Sequence, residues 1–165
     1  MTKFFLKWRD KSENSTFPRT ELRGLTPIYD NIKYTLSFDH FIKEYPKGFQ
    51  YCWVQVFGKN GPNVMLRYRN DTYQLLAIQG HNQIVTLPGD VNDNVNFWTN
   101  WKIEFYLSVL NGYVKVYRNN IFIGETKGNT SGDNNSYVKL GLYSQQMDPN
   151  GTMTSYIKNL QLCSY

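Results

Sequence analysis

Residues 101–118 read Trp101-Lys102-Ile103-Glu104-Phe105-Tyr106-Leu107-Ser108-Val109-Leu110-Asn111-Gly112-Tyr113-Val114-Lys115-Val116-Tyr117-Arg118. Apolar and polar side chains alternate on both sides of the middle, the period-two signature of strands with one buried face. Asn111-Gly112 favours a two-residue hairpin loop of the primed type, so residues 103–110 are expected to pair with residues 113–117. The same alternation runs for eight residues through Ile32-Lys33-Tyr34-Thr35-Leu36-Ser37-Phe38-Asp39. Lys59-Asn60-Gly61-Pro62, Pro88-Gly89-Asp90, Arg118-Asn119-Asn120 and Asp148-Pro149-Asn150-Gly151 punctuate the chain as turns or loops. No ten-residue stretch carries a 3.6-residue period. Short antiparallel strands without helices predict an all-β fold, an antiparallel β-sandwich or β-jelly roll, as a single domain over residues 1–165.

Composition narrows the function. The 165 residues are 41% hydrophobic and 19% charged, enough to bury a core, with no low-complexity block. The longest apolar runs, such as Leu75-Leu76-Ala77-Ile78, fall far short of a membrane span, and Met1 to Arg9 shows no signal-peptide pattern. Cys52 and Cys163 lack the paired spacing of a zinc or redox motif, so neither metal nor cofactor is expected; a long-range disulfide and two buried free thiols on strands remain about equal alternatives. Sequons at Asn14, Asn70, Asn129, Asn134 and Asn150 only mildly exceed chance in a chain this rich in Asn, Ser and Thr. Compartment and oligomeric state stay open. The net charge of +5 favours a polyanionic partner. Scattered cations and the lack of a recognition helix argue against nucleic acid.

Three segments space polar groups two apart, so that one sheet face displays them. Arg19-Thr20-Glu21-Leu22-Arg23 sets two cations around an anion, as a ligand-binding strand or a solvated edge strand would. Tyr51-Cys52-Trp53-Val54-Gln55-Val56-Phe57 divides by parity into Cys52, Val54 and Val56 on one face and Tyr51, Trp53, Gln55 and Phe57 on the other. The second face suits a sugar, because rings pack on its C–H faces while the amide holds hydroxyls or a carboxylate. A strand buried on both faces is an equal alternative. Tyr137-Val138-Lys139-Leu140-Gly141-Leu142-Tyr143-Ser144-Gln145 displays Tyr137, Lys139, Tyr143 and Gln145, with Gly141 leaving room among them. Together these groups suit an acidic carbohydrate.

In this order, the three segments resemble the motif strands of alginate lyases of polysaccharide lyase family seven: Arg-Ser/Thr-Glu-Leu-Arg, Gln-Ile/Val-His and Tyr-Phe-Lys-Ala-Gly-x-Tyr-x-Gln. The resemblance covers the chain from about Phe4 to the C-terminus. It implies a concanavalin A-like jelly roll and β-elimination at a uronic acid, in which a base removes the C5 proton and an acid protonates the departing glycosidic oxygen. By resemblance, Arg23 and Gln55 neutralise the C5 carboxylate and so stabilise the carbanion. Tyr143 acts as general acid, and as base if nearby cations lower its pKa from about 10. Lys139 and Gln145 bind the polysaccharide, with Trp53 and Phe57 as aromatic contacts, and Arg19 and Glu21 hold register.

The chain departs from the family pattern twice. Phe57 stands where the family has a histidine, and the chain starts almost at the first motif, so opening strands are expected to be missing. His40 and His81 lie outside the motif positions, as loop histidines or as groups reaching the cleft from a neighbouring element. Three readings follow: a lyase acting on alginate or another uronate polymer, a non-catalytic glycan-binding module, or a structural protein, for instance of a virion, built on the same fold.

Overall fold

The computed structural model describes residues 2–6, 19–46, 48–70, 72–77, 83–131, 135–144 and 152–165. They hold the strands β1 (Thr2–Leu6), β2 (Arg19–Arg23), β3 (Lys33–Glu44), β4 (Tyr51–Gly58), β5 (Gly61–Arg69), β6 (Thr72–Ala77), β7 (Gln83–Leu87), β8 (Trp98–Tyr106), β9 (Gly112–Arg118), β10 (Ile121–Gly128), β11 (Tyr137–Ser144) and β12 (Met153–Ser164). Two six-stranded sheets result: a first sheet in the order β1-β12-β3-β8-β9-β10 and a second in the order β2-β11-β4-β5-β6-β7. Each pairing between these strands is antiparallel. The architecture is the β-sandwich jelly roll that the alternating pattern predicts. A strand, β1, precedes the Arg-Thr-Glu-Leu-Arg segment and pairs with β12. Among the described residues no helix is long and apolar enough to cross a membrane.

In the first sheet the alternation maps directly onto burial: Tyr34, Leu36, Phe38 and Ile42 of β3 and Trp101, Ile103 and Phe105 of β8 all point inward. They meet Trp53, Val54, Val56, Leu66, Tyr73 and Leu75 from the second sheet. The centre of this core is aromatic. Trp101 of the first sheet lies 5.3 Å from Trp53 and 5.5 Å from Tyr73, and Trp53 and Tyr73 are 5.4 Å apart. Each such ring pair adds about 0.5–1.5 kcal/mol beyond the area it buries.

Among the described residues the turns differ from expectation in one place, and Asp148-Pro149-Asn150-Gly151 lies outside them. β8 and β9 do form a hairpin, but the last pair is Tyr106 with Tyr113, and a longer loop replaces the two-residue turn at Asn111-Gly112. Leu107 is drawn into the core, and Ser108 is tied to Thr130 through both its N–H and its carbonyl. Gly112 is glycine for a packing reason, since a Cβ there would strike the Thr130 hydroxyl and the Gly128 carbonyl. The primed turn lies one hairpin later. Asn119 and Asn120, with φ of 50° and 64°, join Arg118 of β9 to Ile121 of β10.

The parity of β4 also breaks. Against β5, Val54 pairs with Leu66 but Cys52 pairs with Arg67, so Trp53 is an extra residue on β4. Such a bulge lets two successive side chains face the same way. Trp53 and Val54 both enter the core, Tyr51 also points inward, and Cys52 turns to the outer face beside Met65, Leu76 and Tyr143. Apart from Phe57, β4 is buried throughout, as in the alternative of a strand covered on both sides.

Cys52 and Cys163 are both free, one buried on β4 and the other exposed on β12. The Cys52 thiol donates to the Val54 carbonyl at 3.2 Å, and burial pushes its pKa well above the ordinary range. A thiol reagent should therefore label a single site on the folded chain. Cys163→Ser should abolish that labelling, with Cys52 reacting only in denaturant; rapid labelling of the Cys163→Ser variant in buffer would contradict this burial.

His40 faces inward between Phe38 and Ile42, its Nε2 without a hydrogen-bond partner, and burial lowers its pKa from 6.5 to about 4. The imidazole is neutral in folded and unfolded chains above pH 6.5. As the pH falls from there toward 4, the unfolded chain takes up a proton that the folded chain refuses, which costs about 3 kcal/mol over the whole interval. Urea unfolding should show about 2 kcal/mol less stability at pH 5 than at pH 7.5 from this group, and His40→Leu should reduce the loss. An unchanged pH dependence in the variant would remove His40 as its source.

Candidate functional site

The register of β2, β11 and β4 assembles the candidate residues on the outer face of the second sheet. Lys139 of β11 stands opposite Arg23 on one side and Gln55 on the other, forming a transverse row across three strands. Adjacent strands lie about 4.8 Å apart, so the three side chains converge on one patch. On the side of this row toward the start of β11, Tyr137 pairs with Phe57. Toward the other end, Gly141 pairs with Glu21, and Tyr143 stands between Arg19 and Cys52.

Two cations directly opposite one another repel, and here each one rests on an aromatic face. The Arg23 guanidinium lies 4.0 Å from the centre of the Tyr137 ring, and the Lys139 ammonium 3.7 Å from that of Phe57. The two rings are themselves 5.8 Å apart. Ring quadrupoles attract cations, so this pair of aromatics holds both charges in place without cancelling them. Gln55, only 2% exposed, sets a fixed amide beside them.

Lys139 and Tyr143 are four residues apart, about 13 Å along an extended strand. Between them Gly141 contributes no side chain, and its φ of 150° fits the place where β11 slips in register against β4. Along β11 the cations and the phenol thus lie on either side of a buried residue without a side chain. The Tyr143 ring packs against Cys52, Met65 and Leu76, a small apolar patch beneath the phenol. Past Phe57 and Tyr137 the face opens into a cleft of about 670 Å³, which also takes in Lys59 and Asn135.

Arg23, Gln55, Lys139, Tyr143, Glu21 and Phe57 thus share one surface. The Arg19 backbone lies in register with Tyr143, and Gln145 and His81 fall outside the described residues. Trp53 requires a correction: expected on the displayed face, it is 2% exposed and packed against Trp101 between the sheets, because the bulge sends it inward. His40 points into the core and does not join the site. Tyr137, counted among the displayed residues but given no role of its own, supports Arg23. One contributor escaped the sequence reading. Arg67, which donates from Nε to Gln74 at 2.8 Å on the same face, was signalled by a lone cation within the apolar run of β5. Among the described residues no group of three His, Cys, Asp or Glu side chains could hold a metal ion.

No curated protein matches the chain in sequence. Among solved structures it resembles alginate lyase A1-II′, a member of polysaccharide lyase family 7 (TM-score 0.74, 16% identity, 98% of this chain and 78% of that one). It also resembles alginate lyase AlgAT5 from the same family (TM-score 0.70, 19% identity, 99% and 77%). A third neighbour is alginate lyase PA1167 from Pseudomonas aeruginosa (TM-score 0.69, 20% identity, 93% and 78%). At these identities the likeness establishes the common jelly roll. The sequence profile described as polysaccharide lyase matches residues 3–161, nearly the whole chain, and the protein belongs to that family.

Proposed function

We propose that the chain cleaves an acidic, uronate-containing polysaccharide such as alginate by β-elimination on the outer face of the second sheet. The observation that carries this reading is the row of Arg23, Lys139 and Gln55 on the same face as Tyr143, with Gly141 between them along β11. Elimination next to a uronate carboxylate is slow because charge builds up on C5 and spreads into that carboxylate. Donors already fixed where the charge develops lower the barrier most. Arg23, Lys139 and Gln55 supply two cations and an amide within one patch, and the aromatic supports spare the site the cost of gathering like charges during reaction.

Tyr143 is the proton-transfer group of this reading. As phenolate it takes the C5 proton; the C4–O bond then breaks as the C4=C5 double bond forms, and the phenol returns a proton to the leaving oxygen. One group can serve both steps when the proton and the leaving oxygen lie on the same side of the sugar ring. Glu21, in register with Gly141, and Arg19, in register with Tyr143, are assigned to orienting the polysaccharide, and the cleft beside Lys59 and Asn135 receives its continuation. In this reading Lys139, poised over Phe57, supplies the positive charge that a histidine at that position would bring.

Phe57 also favours a second reading. A site without an ionisable group at that position can hold an acidic glycan and leave it intact. Ultraviolet absorbance of the unsaturated uronate product separates the two, measured on alginate, polymannuronate, polyguluronate and glucuronan. Absorbance should rise on at least one polymer; Tyr143→Phe should abolish the rise, and Arg23→Met or Lys139→Met should lower kcat by about 10²–10³. Phe57→Ala, which removes only the support beneath Lys139, should cost about tenfold. A flat trace on all four polymers with binding retained would replace the lyase by a glycan-binding module.

A further inference from the structure

The outer face of the first sheet, on the far side of the sandwich, carries a second aromatic row that the lyase chemistry does not use. Trp98 of β8, Phe41 of β3 and Tyr156 of β12 are consecutive partners in register. Their ring centres are 5.3 Å and 6.1 Å apart in sequence along the row. Trp98 is 38% exposed, and Phe97 beside it 66%. The Lys158 ammonium lies 4.0 Å above the Trp98 ring, and Lys43, two residues beyond Phe41 on β3, is exposed. A solvated sheet face is ordinarily polar, so three adjoining rings with cations beside them need an occupant.

Charge identifies its class. Asp39, across from Lys158 in register, accepts hydrogen bonds from Asn100 at 2.9 Å and Asn159 at 2.7 Å, and Glu104 is paired with Lys102 at 3.0 Å. The acids of this face are thus engaged within the protein, while lysines border the rings. A second copy of a chain with net charge +5 is a poor partner for a cationic strip. Three rings on neighbouring strands span about 10 Å, a patch too small to supply the roughly 800 Å² per partner that a stable dimer buries. Both facts fit a single acidic polysaccharide strand, its sugar faces on the rings and its carboxylates on the ammonium groups.

We infer that Trp98, Phe41, Tyr156 and Lys158 form a non-catalytic binding strip for an acidic polysaccharide, separate from the site on the second sheet. The inference rests on the acidic-glycan reading of that first site, and the strip would hold polymer near the enzyme while the other face acts. The test is binding of alginate polymer by calorimetry, alongside turnover of a short alginate oligomer, for four proteins: wild type, Arg23→Ala/Lys139→Ala, Trp98→Ala/Lys158→Ala, and the combination. The strip variant should lose about tenfold in polymer affinity, in line with one stacking and one cation contact, and keep oligomer turnover within about twofold of wild type. The Arg23→Ala/Lys139→Ala protein should still bind polymer, and the combination should not. Lys158→Glu, which leaves the rings untouched, should weaken polymer binding as well, with melting temperatures confirming that each variant is folded. Wild-type affinity in the strip variant, or complete loss of binding in the Arg23→Ala/Lys139→Ala protein, would overturn the strip. Absent turnover with polymer binding that depends only on Trp98 and Lys158 would overturn the lyase reading and uphold the strip.

Discussion

The triangle of Trp53, Trp101 and Tyr73 is the contact on which the remaining geometry depends. It joins the two sheets at their centre and requires one more residue on β4 than on β5. That residue reverses the parity of everything before it in the strand. Tyr51 goes inward to meet Tyr68, while Cys52 goes outward to the patch under Tyr143. Without the bulge, Tyr51 and Trp53 would lie on the same side as Gln55, and the smooth floor beneath Tyr143 would be filled by rings. A requirement of the core thus shapes the surface where chemistry is proposed.

The fold was legible wherever alternation ran uninterrupted, as in β3, β8 and β9, because a half-buried antiparallel strand has no other way to divide its side chains. β2 and β11 were legible for the same reason, since Val138, Leu140 and Leu142 turn to the core and leave Tyr137, Lys139 and Tyr143 on the other face. β4 was not. A bulge leaves no mark in a run whose residues are nearly all apolar, and parity then assigns Trp53 to the wrong side. Asn111-Gly112 misled in another way: the tie between Ser108 and Thr130 overrode a strong local turn preference, and the primed turn formed at Asn119-Asn120, a pair with less obvious local preference. Periodicity also says nothing about which distant strands become neighbours. The row of Arg23, Lys139 and Gln55 follows from the register of three strands far apart in the chain, which only the resemblance could suggest.

The cationic row illustrates how a site can oppose local stability. Arg23 opposite Lys139 is an unfavourable cross-strand pair, and Gly141 in mid-strand forgoes packing. Each is offset nearby, by Tyr137 and Phe57 beneath the charges and by the continuous ladder that Gly141 shares with Glu21. Local rules broken together and compensated together are characteristic of functional surfaces. Phe57 takes part in this compensation as the support for an ammonium group.

The pairing of β3 with β12 brings together residues such as Glu44 and Thr154, 110 positions apart. β3 lies inside the first sheet, so one of its long edges gains a partner only after almost all of the other strands have been made. On a ribosome, that edge and the alternating apolar face of β3 stand open while more than a hundred residues are added, at about 5–20 residues per second. Contacts of such long range close slowly, and an open edge is a template for pairing with other chains. The order of synthesis therefore makes β3 the segment on which a nascent chain of this protein most needs protection.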